Sequence, residues 1–419
     1  DRNRSHWSTS KTPSYTKSVS WQHHPKSQFI YVSKPGYVRL IQTRDYKTDA
    51  FPTYIPISST KKFCDEFDIM IGRYGPPIFQ ICRGLKGAYN VALLKVIPKE
   101  GVSRDFLYYF LKQDSVFQYV DKLSARTGGQ TGVDLVSLKE YPVRIPEEIE
   151  CQEKLVTILS VIDKKIALNN RINTELEAMA KTLYDYWFVQ FDFPDANGKP
   201  YKTSGGKMEY NATLKREIPA GWNDSILGKF IELDRGVTYS KEDVRTQDDK
   251  DTIGILRATN VTGNNVDIDD LVFIPSSRVN VNQMLNKFDI LIVMSSGSKE
   301  HVGKNGVYYF EKKHAFGAFC SKITPVRKYR YFINTFLQSK WFKSYINNQC
   351  LGTNINNLTN THITNCEIIC PTPDVVALFE NKMMPIYNKL ASNTQENSHL
   401  IQLRDWLLPL LMNGQVTVK

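Results

Sequence analysis

Basic, aromatic and hydroxyl side chains follow two apolar runs that are typical of buried strands, Phe67 to Ile71 and Phe288 to Ile292. An arginine can fork onto guanine, and a tyrosine can pack against a base or a sugar. A loop that emerges where a strand ends can present such groups to nucleic acid. The candidate contacts after the two runs are Arg73, Tyr74, Arg83 and Lys86 in the first half, and Ser296, Ser298, Lys299 and His301 in the second half.

A second polar loop lies further along each half and carries hydroxyl and amide groups, which suit adenine edges or phosphate oxygens. Any one of these residues could equally be a solvated residue at a domain rim, so the loops are candidates as groups. The residues are Arg126, Thr127, Gln130 and Thr131 in the first loop, and Thr353, Asn354 and Asn356 in the second.

The catalytic loops of DNA-modifying enzymes have no counterpart in this sequence. The string closest to an amino-methyltransferase loop, Gly75 to Ile78, lacks the polar amide and the aromatic residue, and Gly297 to Asn305 departs from a Walker loop in length and final residue. Asp289 with Glu311 and Lys313 could gather a metal ion in a nuclease, which stays open as an alternative. We otherwise expect no catalytic residue, no metal site and no cofactor in this chain.

The overall composition is that of a folded, basic protein of 419 residues, which is enough for two or three domains. A formal net charge of +11 favours a polyanionic partner. The longest apolar run, Ile290 to Met294, is too short to cross a membrane. Seven scattered cysteines without a Cys-x-x-Cys pair indicate neither a disulfide framework nor a zinc ribbon, so a cytoplasmic location is expected.

The elements that would position these loops occur twice, at a spacing of about half the chain. Each half is predicted to hold a strand-like run, the buried strand, a helical stretch, the polar loop and a short strand that ends in proline. The matching pairs are Arg39 to Tyr46 with Gly254 to Val261, Phe106 to Val120 with Tyr331 to Ile346, and Pro146 with Pro371.

Each half then ends in a helix with heptad spacing, from Leu155 to Trp187 and, at a constant offset of 224 residues, from Phe379 to Leu411. Both seams hold two asparagines, and only Arg404 departs from the pattern. Antiparallel pairing would give each buried amide a partner, which fixes the register. The expected pairs are Asn169 with Asn397 and Asn173 with Asn393. Pro385 should kink the second helix or mark a break near its start.

Two further segments carry a resemblance to a known family, the connector WFVQFDFPDANGKPYKTSGGKMEYN from Trp187 to Asn211 and the closing run LRDWLLPLLMNG from Leu403 to Gly414. From Lys26 to Lys419 the chain resembles the specificity subunits of type I restriction–modification systems. The resemblance implies an α+β fold, with two pseudo-twofold-related α/β target-recognition domains separated by two long antiparallel coiled-coil helices.

The same resemblance implies a non-catalytic subunit that recognises double-stranded DNA, each domain reading one half of a bipartite target. The helices would dock two modification (methyltransferase) subunits, with restriction subunits as further partners and no membrane. S-adenosylmethionine, ATP and Mg are then expected on the partner subunits. A helical scaffold without DNA specificity of its own is the competing interpretation.

The repeats and the resemblance together divide the chain into six segments. Residues 1–27 lack Leu, Ile, Met, Phe, Ala, Gly and Cys, and lack a counterpart of the run Trp222 to Gly228, so we expect an altered or non-native start. The segments are an atypical N-terminal segment (1–27), target-recognition domain 1 (28–146), a first spacer helix (147–188), a connector (189–221), target-recognition domain 2 (222–373), and a second spacer helix with the tail (374–419).

Overall fold

The computed structural model describes residues 26–74, 78–123, 126–127, 130–247, 249–349 and 357–416. The chain divides into two compact units. The first unit is formed by residues 1–164 and 401–419, and the second by residues 165–400.

The first unit holds two small sheets and a hairpin. Strand β1 (Tyr37–Ile41) lies between β2 (Tyr54–Pro56) and β6 (Gly87–Tyr89), with β3 (Phe63–Cys64) beyond β6. In the second sheet, β4 (Ile69–Gly72) lies between β5 (Ile81–Cys82) and β7 (Leu93–Val96). Strands β8 (Arg126–Thr127) and β9 (Gln130–Thr131) form the hairpin. Only β1 and β6 pair in parallel, among the strand pairs of this unit's described part.

Three short helices cover the β4 sheet: α1 (Arg104–Leu111), α2 (Asp114–Leu123) and α3 (Leu135–Glu140). The side chains of Ser103 and Asp134 accept backbone N–H groups at the starts of α1 and α3, which satisfies donors that the helix itself cannot. Buried Phe106 and Phe110 of α1 share one core with Ile69 and Ile71 of β4. The apolar face of α1 therefore holds the sheet in place.

The first strands of the second unit form the connector hairpin, β10 (Met208–Asn211) and β11 (Arg216–Pro219). One sheet then places β14 (Thr252–Leu256) between β15 (Val272–Pro275) and β18 (Ala315–Phe316). A second sheet has the order β13 (Ile231–Arg235), β19 (Cys320–Pro325), β16 (Ile290–Val293), β17 (Asn305–Val307). A third pairs β12 (Asn223–Ile226) with β20 (Glu367–Cys370). The helices are α5 (Arg330–Leu337), α6 (Lys340–Gln349) and α7 (Asn360–Thr364).

The two units repeat one topology, as the internal repeat predicts. Among the described strands each unit has one parallel pair, β1 with β6 and β14 with β18, formed by the same number of residues. The predicted apolar strands are β4 and β16, and every residue of both is buried. Each predicted helical stretch is a pair of helices, α1 with α2 and α5 with α6.

Two long helices complete the fold: α4 (Ile149–Tyr184), which continues as a π-helical turn Asp185–Val189, and α8 (Pro373–Met412). They pair antiparallel in each unit. In the second unit Nδ2 of Asn169 donates to Oδ1 of Asn397 at 2.9 Å, and Nδ2 of Asn393 donates to Oδ1 of Asn173 at 2.8 Å. In the first unit Arg404 meets Asp163 at 3.0 Å. The asparagines thus have the partners that antiparallel pairing predicts.

Two local expectations need correction. Residues 142–146 form no strand, whereas the equivalent β20 pairs with β12. A counterpart of β12 would fall within residues 1–27, of which 1–25 lie outside the described residues, so the described part of the first unit offers this segment no strand partner. The expected break at Pro385 is also wrong, because α8 continues through that residue.

The connector is ordered, as its aromatic residues predict. Phe191, Phe193 and Trp222 are buried, and the ring of Trp222 stacks on Phe193 and meets Phe188 and Phe191. At the other end of the chain, Gly414 has a φ of +68°, a conformation that favours glycine and ends α8. Within the described ranges no helix is both long and apolar enough to span a bilayer.

Candidate nucleic-acid interface

Three chain segments meet where β4 ends, and we call this place the first junction. The backbone N–H of Arg73 donates to the carbonyl of Ala92 at 2.8 Å, in the turn before β7. The carbonyl of Arg73 accepts the N–H of Val133 at 3.0 Å, and Tyr74 forms a β-bridge with Gly132. The loop after β4 and the chain that follows the β8–β9 hairpin are therefore joined by backbone hydrogen bonds.

The second unit repeats this arrangement at the end of β16, which we call the second junction. The N–H of Met294 donates to the carbonyl of Phe319 at 2.8 Å, and its carbonyl accepts the N–H of Leu358 at 2.7 Å. Ser295 forms a β-bridge with Asn357. Residue for residue, Met294 takes the place of Arg73, Phe319 that of Ala92, and Asn357 that of Gly132.

The junctions bring together loops that the sequence could only nominate separately. Residues Arg126, Thr127, Gln130 and Thr131 form the β8–β9 hairpin, of which the backbone alone is described, directly before Gly132. In the second unit, Ser296 follows Ser295 directly. Thr353, Asn354 and Asn356 lie outside the described residues, next to Asn357. The scaffold is the same in both units, and the side chains that it presents differ.

Comparison with known proteins shows which family the chain resembles. Residues 57–178 match the profile of the type I restriction modification DNA specificity domain. The chain is 27% identical over 334 residues to the type I restriction enzyme MjaIX specificity subunit of Methanocaldococcus jannaschii, which covers 79% of this chain and 73% of that protein. It is 30% identical over 208 residues to the EcoKI specificity subunit of Escherichia coli, covering 48% of this chain and 45% of that one.

The chain is thus similar to type I specificity subunits, and residues 57–178 match their DNA specificity domain. Its fold is also that of the type I restriction–modification S subunit from M. genitalium, with a TM-score of 0.50 and 16% identity, covering 93% of this chain and 91% of that one. The family resemblance and the fold class expected from the sequence are confirmed. A DNA specificity domain is the part of such a subunit that recognises DNA, so the junctions are the natural place to examine further.

Arg73 and Tyr74 lie side by side at the first junction. The Arg73 guanidinium is 4.9 Å from the centre of the Tyr74 ring, close enough for a cation–π contact. A Cβ atom on Gly132 would lie only 3.0 Å from Cε1 of Tyr74, so glycine leaves room for the ring. Both side chains are only partly buried. An aromatic ring with an adjacent cation suits a contact with a base or a sugar.

Arg83 and Lys86 are placed differently from each other. The guanidinium of Arg83 forms an ion pair with Asp105 and lies 3.9 Å above the ring of Tyr108, both on α1. Its charge is therefore largely balanced within the domain, and it attaches the β5–β6 turn to α1. Lys86 lies exposed on the same turn and can reach a phosphate.

The β16–β17 loop carries the second group of candidates. Oγ of Ser296 accepts the backbone N–H of Ser298 at 3.3 Å, which shapes the loop from within. Lys299 begins a 3-10 turn that ends at His301, and His301 is exposed. The loop returns to β17 through Gly303, at a φ of +79°, where a Cβ would lie 2.3 Å from Ile346. Glycine is required there, so the loop is fixed at its base.

The carboxylates considered for a nuclease have structural roles instead. Asp289 is buried, accepts the N–H of Asn286 at 2.7 Å and the hydroxyl of Thr324 at 3.0 Å, and closes the turn before β16. Burial raises the pKa of Asp289 above its usual value. Glu311 pairs with Lys287 at 2.7 Å. Over the described ranges, three or more His, Cys, Asp or Glu side chains never gather closely enough to hold a metal ion.

Proposed function

We propose that this chain is the non-catalytic DNA-recognition subunit of a type I restriction–modification complex, and that each target-recognition domain reads one half of a bipartite site. The observation that carries the proposal is the duplicated junction. Both units hold three segments together through equivalent backbone hydrogen bonds, while the side chains at equivalent positions differ. A constant backbone frame with different side chains is what two readers of different half-sites need.

The partners we propose are double-stranded DNA, two modification subunits and restriction subunits. Modification subunits would dock on the outer faces of α4 and α8, where Ile158, Met179 and Leu403 are exposed and Ile172 and Leu410 are half-buried. Exposed apolar side chains on a helix face suit burial against another protein. S-adenosylmethionine, ATP and Mg would then be bound by the partner subunits.

The two spacer helices would set the separation of the half-sites. The seam from Leu155 to Trp187 is about 50 Å long at 1.5 Å per residue, or roughly 15 base pairs, which is an upper bound. Two readers on one face of the duplex favour centres about one helical turn, roughly 10 base pairs, apart. A helical insertion beside Asn169 should lengthen the unspecified gap without changing either half of the motif. If the gap stayed unchanged, the spacer helices would not set the separation of the half-sites.

A helical scaffold without DNA specificity is the competing function, because the same exposed apolar side chains would serve it. The salt dependence of duplex binding separates the two. Phosphate contacts release counterions, so the logarithm of the affinity should fall steeply and linearly with the logarithm of the salt concentration. A scaffold would show no such slope. Binding should be measured with the full chain before modification subunits are added, because those subunits can contact phosphates themselves.

Domain exchange tests whether the two halves are read independently. Residues Tyr37 to Pro146 would be replaced by the corresponding domain of a related subunit, and the methylated motif read by single-molecule sequencing of DNA modified by the reconstituted complex. One half of the motif should change and the other should stay. A change in both halves would show that the two domains read the site jointly.

A further inference from the structure

Phe319 is a large apolar residue that the fold holds in the open at the second junction. The residue is 68% exposed and its neighbour Ala318 is exposed as well, whereas Phe316, Gly317 and Cys320 are buried. A single exposed apolar side chain is common on a protein surface, so the place of Phe319 at the junction matters more than its exposure. The position of this ring therefore calls for a functional explanation.

The backbone around Phe319 is fixed by hydrogen bonds on both sides. The N–H of Gly317 donates to Leu256 at 2.9 Å, and the N–H of Ala318 donates to Val237 at 3.0 Å. The carbonyl of Phe319 itself accepts the N–H groups of Met294 and Ser295, at 2.8 and 3.2 Å. The residue is thus attached directly to the loop that carries Ser296. A ring on so restrained a backbone loses little conformational entropy when it binds.

Comparison of the two junctions shows what the ring replaces. At the first junction the loop after the strand supplies the aromatic side chain, Tyr74, and the facing turn has the small Ala92. At the second junction the loop has Ser295, and the facing turn supplies Phe319. Among the described residues that form these backbone contacts, each junction therefore carries one aromatic ring, and the two rings stand on different segments of the same backbone frame. Sequence inspection missed Phe319 because it examined only the loops after the buried strands.

We infer that Phe319 is a specificity-determining residue of target-recognition domain 2 and makes an apolar contact with DNA in the half-site that this domain reads. A phenyl ring has no hydrogen-bonding group, so it contributes through contact with the carbon atoms of a base or sugar, of which the thymine methyl is one. The inference rests on the proposed DNA-recognition function and adds a residue to it.

The test compares Phe319→Ala with the unaltered chain, each assembled with its modification subunits. The probe is a synthetic duplex that contains the methylated motif, and Kd is measured across a series of salt concentrations. Phe319→Ala should bind about ten-fold more weakly, as expected for one lost apolar contact. The salt slope should stay unchanged, because no phosphate contact is lost. Phe319→Leu, which keeps apolar bulk, should lie between the two.

Phe67→Ala is the matched control, because Phe67 is similarly exposed but precedes β4, at the end of that strand opposite the first junction. It should bind like the unaltered chain. Sequencing of the methylated DNA should show relaxed selection in one block of the motif for Phe319→Ala, and only in the block assigned to domain 2 by domain exchange.

The outcomes separate the inference from the function on which it rests. If the unaltered complex binds with a salt slope and Phe319→Ala matches it in Kd and motif, the inference is wrong and the proposed function stands. Relaxed selection only in the block of domain 1 would likewise overturn the inference. If the unaltered complex shows no salt-dependent binding, the inference and the proposed function are both wrong. Thermal melting of each variant establishes that the second unit is folded.

Discussion

The paired amides of the spacer helices test how α4 and α8 recognise each other in the second unit. Asn393 is fully buried and Asn173 nearly so, and they share one hydrogen bond of 2.8 Å. Within the described residues, Oδ1 of Asn393 accepts no hydrogen bond. The pair therefore keeps polar atoms out of water with incomplete compensation, which costs stability and specifies register.

The expected magnitudes follow from what each substitution leaves behind. Asn393→Leu alone leaves Oδ1 of Asn173 buried without its donor, which should cost about 1–3 kcal/mol. Asn173→Leu alone leaves Nδ2 of Asn393 buried without its acceptor, at a similar cost. Replacing both removes the two desolvated amides together and restores an apolar seam, which should be nearly neutral or stabilising. The second substitution should thus recover about 1–3 kcal/mol in the background of the first, so the coupling free energy between the two positions should be about 2–6 kcal/mol.

Amide hydrogen exchange of residues 165–180 and 385–400 is the appropriate measurement, because a chain with two units need not unfold in one step. Each single variant should exchange faster by about 5- to 150-fold, and the double variant should return to the rate of the unaltered chain or below it. Asn388→Leu, at an exposed position on α8, is the control and should change little. If the double variant exchanges at the product of the two single effects, the amides are not coupled and the reasoning fails.

Three further predictions concern other parts of the molecule. Arg404→Ala should destabilise the first unit by about 1 kcal/mol, measured by thermal melting, because it removes a part-exposed ion pair with Asp163, and Arg404→Lys should lose less. Trp406→Glu should weaken assembly with modification subunits in a pull-down of the complex, since Trp406 is an exposed aromatic on α8, whereas Tyr210→Glu in the connector should assemble normally. Burial lowers the pKa of His314 to about 4 from a usual 6.5, so the folded state favours the neutral ring. Its contribution to stability should be complete above about pH 6.5 and decline as the pH falls towards 4, and His314→Gln should melt with a weaker acid dependence.

Local sequence patterns were sufficient to predict the elements in which burial sets the spacing of the apolar residues. The runs that became β4 and β16 are apolar because both faces of each strand are covered, and the heptad seams of α4 and α8 reflect their contact with each other. Residues 142–146 show the limit of such patterns, because a strand needs a partner and the sequence around Pro146 does not reveal whether one exists. Pro385 shows the same limit, because packing carries α8 through a residue that disfavours a helix.

Long-range contacts decided what sequence inspection could not. Arg83 is a loop residue by sequence, yet the fold pairs it with Asp105 and Tyr108, so its charge is balanced before any ligand arrives. Arg404 interrupts an apolar seam for a reason that appears only in the first unit, where Asp163 accepts from it at 3.0 Å. Phe319 reads as core material, since exposure depends on neighbours that lie elsewhere in the chain.

The attachment of each target-recognition domain to the spacer shows why equivalent positions need not hold equivalent residues. In the first unit the hydroxyl of Tyr109 on α1 donates to Asp163 of α4 at 2.8 Å. In the second unit the equivalent positions hold Thr335 on α5 and Tyr387 on α8, whose hydroxyls lie 3.0 Å apart. In both units a hydroxyl contact joins the domain to the spacer helices. The tyrosine that takes part lies on the domain helix in the first unit and on the spacer helix in the second.

This exchange of residue types limits how domains can be replaced. A donor domain with threonine at the position of Tyr109 would be too short to reach Asp163, and would leave that carboxylate without one of its donors. Loss of stability could then be mistaken for loss of DNA recognition. A replacement of Tyr37 to Pro146 that restores tyrosine at position 109 should melt like the unaltered first unit, and any change in the methylated motif can then be assigned to recognition by the exchanged domain rather than to lost stability.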